Sequence, residues 1–128
     1  MKQVLVLKHR FPGMNDLIDK NRNSCFSGAN LKRKWTNIVT NECYHQKLKP
    51  FKKLIDVTFV WTCKDRRRDK DNITAAQKFI FDGLVNSKVI KNDGWHEVGD
   101  ICHKFILGKT DKVEVVMEER FEWIRLSL

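Results

Sequence analysis

Apolar and polar positions follow two different periods along this chain, and the changes of period outline its elements. Residues 3 to 7, QVLVL, are a run of aliphatic side chains closed by Phe11-Pro12-Gly13, which predicts a strand ended by a turn. The unbroken apolar character predicts an interior place in a sheet. Asn15 can cap a short helix reaching Ile18, and Ser24 to Asn30 is small and polar. Beyond it Leu31, Trp35, Ile38 and Val39 recur at helical spacing towards Tyr44, with Lys32, Arg33 and Lys34 on the remaining faces. Pro50 ends that segment, and LIDVTFVWT (54 to 62) predicts a second strand.

A further helix is expected just after Asp71 or Asn72, either of which can cap it, because Ile73, Ala76, Ile80 and Leu84 follow at helical spacing. Asn92-Asp93-Gly94 marks a loop. ICHKFIL (101 to 107) and Val113 to Met117 flank Gly108 to Asp111 and predict a hairpin. The tail from Glu118, with Phe121 and Trp123, reads as a last helical turn or a partner contact. No repeat, linker or low-complexity tract interrupts the pattern. The expectation is one α+β domain over residues 1–128, with a mixed sheet of about four strands and helices packed against it.

Composition sharpens this picture. The chain has 128 residues, 41% of them apolar, which suffices for one cored domain and excludes a disordered basic arm. A dimer interface would add stability at this size. Cys25, Cys43, Cys63 and Cys102 lack the short spacings of a zinc site, so no structural zinc is expected and reduced thiols in a cytoplasm are the simplest reading. The apolar run near Met1 is too short for a signal-peptide core, and no stretch is long enough to cross a bilayer.

The formal charge is +9, and it is local. Residues 1 to 56 carry 12 basic and 4 acidic side chains, whereas residues 72 to 128 carry 8 and 9. Such a basic excess on a folded chain points to nucleic acid. Between these halves, Lys64, Arg66, Arg67, Arg68 and Lys70 are interleaved with Asp65, Asp69 and Asp71. A pure phosphate-binding patch would exclude those acids, because each repels the phosphodiester that the arginines attract. A divalent cation bridging carboxylate and phosphate oxygens would remove the conflict.

Asp69 and Asp71 are one residue apart, so in extended backbone both carboxylates project from one face and could share a hard cation, with Asn72 adding a carbonyl or capping the helix. The alternative is that the acids are helix caps and dipole partners. Arg66 to Arg68 read as a phosphate patch or a solvated loop, and Asp93 as a site carboxylate or a turn residue. Lys78 and Asp82, four apart, suggest a surface ion pair. Trp35 and Trp61 read as core, while Trp95 either stacks on a base or packs. His9, His45, His96 and His103 share no metal-ligand spacing, and no nucleophile turn is present.

Residues 65 to 95, DRRRDKDNITAAQKFIFDGLVNSKVIKNDGW, resemble the signature of the RusA family of Holliday junction resolvases. These are small, dimeric, magnesium-dependent crossover junction endodeoxyribonucleases typical of phages and prophages. In that family an arginine-rich segment runs into D-x-D-N, then a K-x-x-x-D-G/A-L helix and a second acidic loop. Here those elements are RRRDKDN, KFIFDGL and IKNDGW, and PGMND (12 to 16) resembles the family's P-G-x-N opening, so the resemblance extends to about Glu119.

The resemblance implies that Asp69, Asp71 and Asp93 hold Mg²⁺, which Mn²⁺ can replace, and that Lys78 supports catalysis. Compared with the best-known branch, three extra residues near Thr74-Ala75-Ala76 displace Lys78 from the aspartate pair by about a turn, a spacing similar to that of relatives from Gram-positive phages. Lys70 or Lys91 are therefore alternatives for its charge. The DNA contacts implied are Arg66, Arg67, Arg68, Lys70, Asn72, Lys91, Lys32, Arg33 and Lys34. The substrate would be a four-way junction, cut by a homodimer inside a bacterial host cell. The competing expectations are a basic DNA-binding protein without catalysis and a nuclease for other branched DNA.

Overall fold

The computed structural model describes residues 1–120. In chain order they form β1 (Lys2–Leu7), α1 (Met14–Asn23), α2 (Cys25–His45), β2 (Ile55–Cys63), α3 (Lys70–Thr74), α4 (Gln77–Asn86), β3 (Val98–Leu107) and β4 (Lys112–Glu119). The strands make one mixed sheet in the order β1-β4-β2-β3, so the chain is the α+β domain that its periodicity predicts. Phe121 and Trp123, in the tail, lie outside the described residues. Among the described residues no helix is long and apolar enough to cross a membrane.

β2 is the axis of the sheet, parallel to β3 on one side and antiparallel to β4 on the other. Strict alternation explains its place: Ile55, Val57, Phe59 and Trp61 are buried on one face. There Phe59 meets Phe81 of α4 edge to face at 5.6 Å, and β4 adds Val113, Val115 and Met117 to the same core. Full burial of a side chain such as Phe59 or Leu84 stabilises the fold by about 1.5–3 kcal/mol. α4 lies against α2 at Gly83, where an added Cβ would sit 2.4 Å from Val39 Cγ1, so only glycine permits that approach.

The structure corrects two expectations about the sheet. β1 is an edge strand, not an interior one; Leu5 and Leu7 are buried but Val4 is 40% exposed. Its free edge is occupied by a side chain instead of a strand, for Gln46 Oε1 accepts the Val6 N–H at 3.0 Å and Gln46 Nε2 donates to the Val6 carbonyl at 2.7 Å. β3 and β4 do not form a hairpin. They flank β2, and the link between them crosses its end, where the Gly108 N–H donates to the Cys63 carbonyl at 3.0 Å. The turn residues were correctly placed, but the strongly apolar β2 takes the position between the two neighbours.

The helix starts also move. α1 begins at Met14 with Gly13 as its N-cap, so Asn15 lies inside it, and Asp16 accepts the Gly13 N–H at 2.9 Å. α2 begins at Cys25, several residues before the apolar stripe, because Ser24 caps it by accepting the Ser27 N–H at 2.9 Å. The helix expected after Asp71 or Asn72 instead begins at Lys70, with Asp69 as N-cap, and is divided into α3 and α4 at Ala75-Ala76. The division falls between the acidic pair and Lys78.

Candidate active site at the carboxyl ends of two parallel strands

Where two adjacent parallel strands end, the connections leaving them open a crevice, and ligands of α/β sheets collect there. β2 and β3 are the adjacent parallel pair, and Cys63 and Leu107 are their paired last residues. A cleft of about 680 Å³ opens at that end. One wall is the segment after β2, contributing Arg66, Arg68, Asp69, Lys70 and Asp71; the other is the apolar end of β3, Phe105 to Leu107.

The loop from β2 to α3 is shaped by its own acids. Asp65 Oδ1 accepts the Arg67 N–H at 3.0 Å, and Asp111 Oδ1 accepts the Lys64 N–H at 3.0 Å while its other oxygen meets Arg10 at 3.1 Å. These bonds to Lys64 and Arg10 hold the Asp111 carboxyl below its usual range against the opposing effect of burial, the largest single influence on it. Arg68 reaches back to the first strand's turn, where its Nη1 donates to the Phe11 carbonyl at 2.9 Å. Burial lowers its pKa, as does the charge of Arg10, though a guanidinium stays protonated at any physiological pH. Arg67 does not line the cleft, and its side chain is 87% exposed.

Asp69 and Asp71 both line the cleft and both are exposed. They are not related by strand alternation, because Asp69 has extended backbone and Asp71 is already helical. Asp69 is the N-cap by position, yet its carboxylate makes no capping hydrogen bond. Asp71 uses Oδ1 for the N–H of Asn72 at 2.9 Å. Asn72 turns its own Oδ1 to the backbone N–H of Asn15 at 2.9 Å, which is one of the donors left unpaired at the start of α1. It therefore joins the PGMND turn to the acidic segment. Lys70 lies over the Phe105 ring at 5.2 Å, so one cation of the basic run rests on the apolar wall.

Asp93 is elsewhere: it lines a hollow with Trp95, Val98 and Ile101 rather than the cleft of Asp69 and Asp71. Lys78 holds it, with Nζ 3.4 Å from Asp93 Oδ2 and 2.9 Å from Asp82 Oδ1. The surface pair expected of Lys78 and Asp82 is thus present, with Asp93 as a third member. The bond to Asp82 does most to raise the Lys78 pKa, with Asp93 adding to it. Among the described residues no group of three or more His, Cys, Asp or Glu side chains stands close enough together to hold a metal ion. Lys91, Lys32, Arg33 and Lys34 are exposed, and none lines the cleft.

Sequence reasoning missed the apolar wall and the Cys63 thiol beside it. The wall depends on the parallel pairing of β2 with β3, which local periodicity cannot reveal. Burial, and next the charge of Asp111, push the Cys63 thiol above its usual range, so it is no thiolate nucleophile. No protein-family model matches this chain, and no curated protein matches it.

Proposed function

We propose that this chain is a magnesium-dependent, structure-selective endodeoxyribonuclease that resolves four-way DNA junctions, as its resemblance to the RusA family implies. The observation that carries the reading is the cleft in which Asp69 and Asp71 stand among Arg66, Arg68 and Lys70. Acids kept inside a phosphate-attracting surface need a cation to be useful there.

The donor set fits such an ion. Mg²⁺ is usually held through one or two carboxylates together with substrate phosphate oxygens and water, and exposed Asp69 and Asp71 offer two hard oxygen donors in a cleft open enough for a phosphodiester. When bound, the ion polarises the scissile phosphate and acidifies a water for attack; Mn²⁺ offers the same chemistry. Arg66, Arg68 and Lys70 bind and orient the phosphate, with Arg67 tracking the backbone beside them. Lys78 neutralises Asp93 in the free protein, and by the family resemblance it would be the cation that stabilises developing charge. A homodimer in the cytoplasm of a bacterial host places two such clefts on the two exchanging strands of a junction.

The test is a denaturing gel of an end-labelled four-way junction and a duplex of the same sequence, each with Mg²⁺ and with EDTA. Paired symmetric nicks confined to the junction and lost in EDTA are expected; nicking of flaps or forks at equal rates would shift the substrate to branched DNA in general. A second reading, a basic DNA-binding protein without catalysis, draws on one observation: Asp93 is held by Lys78, apart from the other two aspartates. Tight junction binding with no cut in any divalent metal would select it.

A further inference from the structure

Trp95 is 95% exposed, the most exposed large apolar side chain among the described residues. Its loop is not loose. The N–H groups of Glu97 and Val98 both donate to the Gly94 carbonyl, at 3.2 and 3.0 Å, and the Glu97 carbonyl accepts the Ile55 N–H at 3.0 Å. A tryptophan held in water by an anchored loop presents both faces of its ring for stacking.

Trp95 itself lines the hollow of Asp93, while the next two residues of its loop, His96 and Glu97, line a groove of about 290 Å³ with Lys52, Lys53 and Lys91 over Phe51. Its two walls are joined where the Phe51 N–H donates to the Val89 carbonyl at 2.9 Å. Glu119 takes the backbone N–H groups of Lys52 and Lys53, each at 3.2 Å, and pairs its other oxygen with the Met1 amino group. That carboxylate fixes the wall without engaging the lysine side chains. Among the described residues Lys52, Lys53 and Lys91 form no ion pair, so three free ammonium groups face one carboxylate, Glu97.

We propose that this groove and Trp95 form a binding site for single-stranded nucleic acid, with the lysines following the phosphates and the indole stacking on a base. The combination of a positive groove and an exposed aromatic face is what unpaired strands need, since a duplex buries the faces of its bases. The inference rests on the nucleic-acid half of the reading above and not on its metal chemistry. It gives the Asp93 loop two neighbouring tasks, because Trp95 lies two residues from Asp93. At a branched substrate the site would receive a base unstacked at the crossover.

The experiment is a titration of the full chain with an oligo-dT strand in EDTA, followed by tryptophan fluorescence and by anisotropy of a labelled strand. Quenching on binding is expected. Trp95→Leu, at a position too exposed to affect folding, should remove most of the quenching and weaken binding about tenfold, the loss of one stacked base. Replacing Lys52, Lys53 and Lys91 by Gln should flatten the slope of log K against log salt by about 2, at roughly 0.7 per phosphate.

Unaltered affinity and quenching in Trp95→Leu would overturn the proposal even if the protein cuts junctions. No oligo-dT binding at low salt would also overturn it, and would leave Trp95 to a protein partner. Strand binding lost in Trp95→Leu, in a protein that cuts no junction, would uphold the groove and remove the nuclease reading.

Discussion

Asn72 Oδ1 accepts the backbone N–H of Asn15 at 2.9 Å, so a residue of the acidic segment caps α1 from 57 positions away. The same side chain explains Gly13: a Cβ there would lie 2.5 Å from Asn72 Oδ1. Asn72→Ala is expected to cost about 1 kcal/mol, and Asn72→Asp, which keeps the acceptor, to restore most of it. Gly13→Ala should destabilise wild type more than it destabilises Asn72→Ala. Urea unfolding of the four chains in a double-mutant cycle measures this coupling; additivity would mean that the two do not share a contact.

Lys78 bridges Asp82 and Asp93, and its pKa is raised chiefly by Asp82. A raised folded value means that its stabilising share is complete below the ordinary 10.5 and fades only as pH climbs beyond it, through the folded pKa. Lys78→Met should therefore alter stability equally at pH 6 and pH 9, and by no more than about 0.5 kcal/mol because all three groups are exposed or half-exposed. Junction cleavage should fall much further than stability does. Thermal melts at both pH values and single-turnover cleavage separate the two effects.

Trp61 Nε1 donates to His103 Nδ1 at 2.9 Å, which requires a neutral, accepting nitrogen. Burial lowers the His103 pKa below its ordinary 6.5. The unfolded chain then takes up its proton first, so stability falls as pH drops through about 6.5 towards the folded value. His103→Gln, which can accept the same bond and does not titrate, should flatten that part of the pH profile. An unchanged profile would assign the dependence to other groups.

Arg67 and Arg68 should differ although they are adjacent. Arg67 is exposed, so Arg67→Ala should leave the melting temperature in place and reduce the salt slope of junction binding by about 0.9. Arg68 donates to the Phe11 carbonyl, so Arg68→Ala should also lower stability, by about 1–2 kcal/mol. Filter binding over a salt series, together with melts, gives both quantities.

What was legible in the sequence follows from which interactions are local. Strand β2 and helix α4 were readable because Val57, Phe59 and Trp61 alternate and Ile80 and Leu84 keep helical spacing. The wide separation of β3 from β4 was not, since a four-residue turn favours a hairpin and only the burial of β2 between them decides otherwise. At the candidate site, the residue types and the nearness of Asp69 and Asp71 were readable. The helical start at Lys70, the diversion of Asn72 to Asn15 and the capture of Asp93 by Lys78 depend on contacts between distant segments. The apolar wall from Phe105 to Leu107 needs the parallel register of β2 and β3.

Single-turnover cleavage of a labelled four-way junction in Mg²⁺, by wild type and by Asp69→Asn, Asp71→Asn and Asp93→Asn at saturating protein, tests the role of the carboxylates most directly. The expected result is cleavage by wild type and its loss in Asp69→Asn and Asp71→Asn, with junction binding retained or tightened as the repulsion of phosphate falls. Normal cutting by Asp71→Asn would contradict the assignment and leave Asp71 with its local bond to the Asn72 N–H.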